Sequence, residues 1–119
     1  MVIEDKQSRI VCAAIKLDFP HPGYTSYGLG INHGAIIGML GWYRETFGCT
    51  TDRVNQDDEG FIAWNQSQGH FYVDRAQAYI IAKNADQLLK EDSREMLDSY
   101  ACQFDQKHWP RKAYISFKD

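Results

Sequence analysis

Apolar residues recur at period two over Arg9–Asp18, with Val11, Ala13, Ile15 and Leu17 on one face and a mixed set on the other. That alternation predicts a half-buried β-strand. Phe19-Pro20-His21-Pro22-Gly23 forces a turn. Tyr24–Ile31 then alternates Tyr27, Leu29 and Ile31 on one side, the returning strand of a hairpin. Gly28 and Gly30 fall on its other side, where a neighbouring element must approach the backbone closely. Asn32 is a good N-cap and Gly48 a good stop. Between them Ile36, Ile37, Leu40, Tyr43 and Phe47 mark a helical stripe, so a helix is predicted over Asn32–Phe47. Gly34, Gly38 and Gly41 share a separate face of that helix. Each interior glycine costs about 0.8–1 kcal/mol against alanine, which a tight contact on that face would explain.

The second half repeats the order. Cys49–Glu59 is polar and acidic, a solvated loop. Gly60–Trp64 and His70–Val73 flank Asn65-Gln66-Ser67-Gln68-Gly69, a second hairpin with a five-residue loop. Asp74 with Gln77 has the capping-box spacing and opens a helix over Arg75–Lys90, striped by Ala78, Ile81, Ala82, Ala85, Leu88 and Leu89. Asp92 with Glu95 repeats the signal, predicting a further short C-terminal helix with Met96, Leu97, Tyr100, Ala101 and Phe104 on its apolar face. Ala113–Phe117 has the composition of a terminal strand. The order ββα-ββα-α-β denotes an α+β fold of two ββα-like units with antiparallel hairpins.

At 119 residues the chain is one domain, 1–119, with 107–119 set apart as a basic aromatic tail. Formal charge is -3 overall, but Lys107–Asp119 alone carries four basic residues against one acid. The acidic middle and basic end can therefore attract one another or a neighbouring subunit. An aromatic content of 13% argues against disorder, and the net acidity against a duplex DNA binder. No apolar run reaches the ~18 residues of a membrane span, and the polar Met1–Arg9 start lacks a signal-peptide pattern, so a cytoplasmic setting with no membrane is expected. Three cysteines without a C-x-x-C suggest reduced thiols.

Catalytic chemistry finds little support. The four histidines and three cysteines have no zinc spacing, G-x-S-x-G is absent, and no metal or cofactor is implied. Gly28-Leu29-Gly30-Ile31-Asn32-His33-Gly34 misses the dinucleotide fingerprint by one position and lies in a hairpin rather than a βαβ unit. Asn32, His33 and Gly34 remain as an ordinary helix entry or as an anion-favouring one. Arg75 opposes the dipole of the helix it starts. It pairs with Asp74 or the acidic loop, or it grips a phosphate. Of Phe61, Trp64, Phe71 and Tyr72, alternation sends one set to the core; an exposed ring beside an arginine suits a purine.

The stretch Gly60–Leu88 resembles a group of small phage proteins that includes the first-described anti-Thoeris sponges, which sequester cyclic ADP-ribose signals. The resemblance rests on Glu59-Gly60-Phe61-Ile62, Gly69-His70-Phe71-Tyr72-Val73-Asp74-Arg75, Gln77-Ala78 and Ile81-Ala82-Lys83-Asn84-Ala85-Asp86-Gln87, with His33 before Ile36-Ile37 upstream. Asn32 stands where that pattern has Arg, and Gln77 where it has Glu. The resemblance implies a non-enzymatic, homo-oligomeric counter-defence protein of the infected host's cytoplasm that binds a cyclic nucleotide or cyclic ADP-ribose signal without degrading it. Phe61 would stack the base, Arg75 and the helix start at Asn32, His33 and Gly34 would meet phosphates, and Asp74 would accept from ribose hydroxyls or the base edge. The alternative is a phage-encoded protein–protein inhibitor of a host defence component, using the aromatic surface and acidic loop. A third reading, nucleotide cleavage, would use His33 or His70 as general base.

Overall fold

The computed structural model describes residues 7–119, so Met1–Lys6, most of the segment tested for a signal-peptide pattern, lies outside the described residues. Both hairpins form. β1 (Arg9–Leu17) pairs with β2 (Tyr24–Gly30), and β3 (Glu59–Asn65) with β4 (Gly69–Asp74). β1 also pairs antiparallel with β3, and the terminal strand β5 (Tyr114–Lys118) adds to β2, giving one sheet of order β4-β3-β1-β2-β5. The second hairpin closes at Asn65 opposite Gly69, whose φ of 72° is the left-handed conformation that such a turn demands of its last residue. The fold is α+β, with helices on one face of an antiparallel sheet.

β1 departs from the half-buried strand its alternation suggests. Every residue from Ile10 to Ile15 is fully buried. A bulge between Ile10 and Cys12 adds a residue against β3, so Ile10 and then Ala13, Ile15 and Leu17 face the helices, while Val11, Cys12 and Ala14 face the opposite side. Val11 is therefore not on the face of Ala13, as strict period two assigns it. Gln87 secures the bulge: its side-chain carbonyl accepts from Ile10 N at 2.8 Å, and its amide donates to Ile10 O and Gln103 O, both at 2.9 Å. A buried amide fully satisfied in this way acts as an extra strand neighbour for Ile10.

The helical face carries α1 (His33–Gly38), α2 (Leu40–Phe47) and α3 (Arg75–Asn84). The single helix expected over Asn32–Phe47 is broken at Met39, beside the poor helix former Gly38, where Met39 N turns back to Ile36 O in a tighter turn. Across the break Ile36, Leu40 and Tyr43 keep their i, i+4, i+7 relation and all reach the core. As expected, β2 is approached closely at its glycines: a Cβ on Gly28 would lie 2.8 Å from Leu17 Cδ1, and one on Gly30 2.9 Å from Ile36 Cγ1. Of the three helix glycines only Gly34 shows the expected tight contact, a built Cβ lying 3.3 Å from the capping Asn32 Oδ1. Nothing lies within 4 Å of a Cβ built on Gly38, and only Arg44 Nη2, at 3.9 Å, for Gly41.

α3 stops at Asn84 rather than Lys90, because Asp86 turns left-handed and sends Gln87 into the sheet. Beyond it the chain runs as a strap, with Leu88 bridging Cys102 and Leu89 N bonding Ala101 O. The short helix expected past Asp92 takes the form of a 3-10 turn, Ser99–Ala101, capped by Asp98. A left-handed Glu95 interrupts the helical spacing before it can propagate.

On the other face Val11, Cys12, Ala14, Leu29 and Ile62 are roofed by the sheet's own aromatics and Trp109. Tyr72 on β4 and Tyr27 on β2 reach across the two intervening strands and stack at 4.1 Å. Trp64 stacks on His108 at 3.5 Å. Gly60 makes the tyrosine stack possible, since its missing Cβ is the space that Tyr72 Oη and the Val73 carbonyl occupy.

Two outcomes follow. Gly60→Ala displaces Tyr72 and collides with backbone, and thermal melts should show a loss of about 1–3 kcal/mol or more. Burial pushes the Cys12 and Cys102 thiols up to about 12, and Cys49 is also buried, all three unpaired. Thiol reagents should label the native chain slowly, and reductant should leave Tm unchanged; fast native labelling contradicts this.

Candidate functional site

The sheet topology brings four of the six candidate residues together. β2 ends into α1 and β4 ends into α3, and both helix starts return to the first residues of β3. His33 places Nε2 at 2.7 Å from Gly60 O, so that nitrogen donates, and its Nδ1 lies 3.7 Å from Glu59. Its ring packs edge-on against Phe61, with centroids 5.1 Å apart. Asp74 stands opposite Gly60 in the β3–β4 ladder and precedes Arg75. Glu59, Asp74 and Arg75, with Gln56, Asp57 and Met96, line a cavity of about 290 Å³.

Within this cluster several expected roles are already taken. Phe61 is 0% exposed, held among His33, Phe104 and the core. No face of its ring is open to a base, which corrects the stacking role: Phe61 lies with Ala63 on the helix-covered side of β3. Asp74 caps α3, accepting from Gln77 N at 2.8 Å while Gln77 returns a bond to Asp74 N. Asn32 caps α1 through Ala35 N at 2.7 Å, and Gly34 is exposed beside that cap. Arg75 Nε donates to Leu97 O at 2.9 Å, and Arg75 O accepts from Leu97 N at 3.0 Å. Arg75 thus ties the strap to α3, a partner neither Asp74 nor the acidic loop supplies.

The charge of the cavity also bears on its ligand. Asp57, Glu59 and Asp74 surround one arginine. A phosphate entering there meets three carboxylates against one guanidinium, a balance that favours hydroxyls, amines or cations over anions. A larger groove of about 790 Å³ runs between the strap and the sheet end, bordered by Arg9, Ile31, Leu89, Phe104 and Trp109. Its rim holds Asp105, 3.3 Å from Arg9 and 2.8 Å from His108. Partial burial opposes ionisation of Asp105, but the His108 hydrogen bond and charge, Lys107 N and Arg9 outweigh it and hold the carboxyl below its ordinary value.

A second surface lies away from these candidate residues. On the outer flank of α1 and α2, Ile37 is 42% and Trp42 44% exposed, beside the open Gly38 and Gly41. Trp42 meets Phe47 edge-on at 5.2 Å, Phe47 meets Tyr114 at 4.9 Å, and Tyr114 begins β5. The sequence carries part of the signal, the helix-weakening glycines; the structure adds that Gly38 and Gly41 are not compensated by close packing.

Among the described residues, no group of three or more His, Cys, Asp or Glu could hold a metal ion, and no helix is long and apolar enough to cross a membrane. Arg75→Ala removes a charged-donor bond worth about 1.5–3 kcal/mol and relieves a dipole penalty of about 0.3–1 kcal/mol. The net expectation is destabilisation of about 1–2 kcal/mol in denaturant melts; an unchanged or raised stability contradicts the tie to Leu97.

No curated protein and no solved structure matches the chain. The family model described as Phage T4 y16D protein matches residues 9–108, from the start of β1 to the 3-10 turn before Trp109, leaving β5 outside. The small phage protein family that the resemblance implied is thereby established in its coarser form: the chain belongs to the phage T4 y16D protein family.

Proposed function

We propose that this phage protein acts by binding rather than by turnover, and that it engages a protein partner through the flank formed by α1, α2 and β5. The observation that carries this reading is the flank itself. Large apolar side chains and open helix glycines stand there at a cost in helix stability, and the described chain covers Ile37 and Trp42 only in part. The chemistry elsewhere supports binding without catalysis. His33 and His70 each donate from Nε2 to a backbone carbonyl, of Gly60 and His108 respectively, which fixes the ring and leaves the lone pair on Nδ1; that of His33 lies 3.7 Å from the Glu59 carboxylate. The Cys12 and Cys102 thiols are buried with raised pKa values, which suits packing and not nucleophilic attack.

A second reading, sequestration of a cyclic nucleotide or cyclic ADP-ribose signal, is favoured by one specific feature. Arg75 lines the 290 Å³ cavity with only Nε and its own carbonyl committed to Leu97, beside carboxylates suited to ribose hydroxyls. The three acids and the buried Phe61 weigh against it as a phosphate and purine site.

A photo-crosslinking amino acid in place of Trp42, expressed during infection, should capture one discrete protein product. Ile37→Glu should abolish that product while changing stability by less than about 0.5 kcal/mol, as expected of an exposed position. Gly41→Ala should raise stability by about 0.5–1 kcal/mol, because its Cβ meets only the end of the Arg44 side chain, at an ordinary 3.9 Å. No product, or one indifferent to Ile37→Glu, sinks the protein-binding reading. A product at twice the 13.7 kDa chain mass assigns the flank to a second copy. Intact nucleotide released on heating the purified chain, and lost in Arg75→Ala, establishes the second reading instead.

A further inference from the structure

Resting on the reading of that flank as a docking surface, we propose that β5, one of the sheet's two edge strands, receives an extended strand of the partner, apolar at its centre and acidic at its ends, along its unpaired edge. The register identifies the groups that would bond it. Leu29 N donates to Ala113 O at 3.1 Å and Asp119 N to Gly23 O at 2.8 Å, with Tyr27 opposite Ile115 and Thr25 opposite Phe117. Antiparallel ladders alternate, so Ala113, Ile115, Phe117 and Asp119 spend their backbone groups on β2. Tyr114, Ser116 and Lys118 direct theirs outward, along an edge that no described strand pairs.

The surroundings fit a strand rather than a helix or a small molecule. A groove of about 500 Å³ follows the edge between Phe47 and residues 112–116. On the helix side Tyr114 stacks on Phe19 at 4.3 Å and meets Phe47, offering an aromatic wall. On the other side Ile115 and Phe117 are half-buried, so alternate side chains of an incoming strand find apolar surface on both faces.

Charge selects the ends. Arg111, Lys112 and Lys118 are exposed, and among the described residues none has a carboxylate within 4 Å. Acidic residues flanking the guest strand would neutralise them. The same cations disfavour antiparallel pairing with a second copy, which brings the basic ends of two β5 strands together.

The test uses the full chain and a short peptide with a Val-Ile-Val-Ile centre and Glu-Glu at each end, with a Lys-Lys-ended peptide as control. Amide hydrogen exchange followed by NMR should show Ile115 and Phe117 protected with or without peptide. Tyr114, Ser116 and Lys118 should slow by roughly tenfold or more at saturating Glu-ended peptide only. Ser116→Pro removes an outward N–H from an edge strand, which tolerates proline, and should abolish peptide protection while Ile115 and Phe117 stay protected. Should that variant melt β5, Lys112→Glu with Lys118→Glu decides: preference should switch to the Lys-ended peptide. The proposal falls if the outward amides stay fast, if both peptides bind alike, or if those amides become protected with protein concentration alone. Capture at Trp42 that persists in Ser116→Pro removes the strand and leaves the docking flank; loss of Trp42 capture altogether, with the peptide still bound at β5, removes the flank reading alone.

Discussion

The ladder between β1 and β3 is the joint on which the molecule depends. Each hairpin with its helix is a ββα unit too small to bury its own faces, and only this pairing fuses the two into a continuous sheet. It explains why β1 carries no polar residue from Ile10 to Ile15: with strands on both sides, helices on one face and aromatics on the other, no position sees solvent. It also sets the end of the sheet where β3 begins, since antiparallel pairing to β1 and β4 brings the starts of α1 and α3 to the same three residues, Glu59 to Phe61.

Much of this was legible in the pattern and some was not, for identifiable reasons. Hairpins, caps and the terminal strand are local signals, and the turn at Gly69, the capping box at Asp74 and the alternation of Tyr114–Phe117 each state their own geometry. The bulge at Val11 is a product of pairing with β3 some fifty residues away in sequence, and nothing in Arg9–Leu17 alone announces it. Gln87 reads as one more helix residue until the bulge needs an amide. Gly60 looks like a strand start, because what requires it is a tyrosine arriving from the neighbouring strand.

The candidate site shows the same division. The residues Asp74, Arg75 and His33 were found by their positions at helix starts, and the structure brings them to one place. Their partners could not be found that way. Arg75 looked like a cation awaiting an anion because Leu97, which receives it, lies 22 residues on in a segment whose strap-like path has no periodic signature. Phe61 looked available because alternation separates two faces without saying which is covered. Function weighs accordingly: the pocket's commitments are mostly internal, whereas the flank of α1, α2 and β5 has apolar surface and backbone groups left over.

The reach of the Gln87 contacts has a consequence for how the protein is made. Ile10 waits for a partner 77 residues further along the chain, and Ser26 for one 90 residues on, in Ser116. At ribosomal speeds of roughly 5–20 residues per second, the most apolar strand is synthesised on the order of 4–15 seconds before the amide that closes its bulge. Within that interval β2 arrives first, then the helices α1 and α2, and β3, the second strand to pair with β1, only some fifty residues after it. Topology of this kind folds slowly and leaves apolar surface exposed on the way. Until β3 arrives, the turn at Phe19–Gly23, which folds β1 back onto β2, is the first protection that the chain gives its most apolar strand.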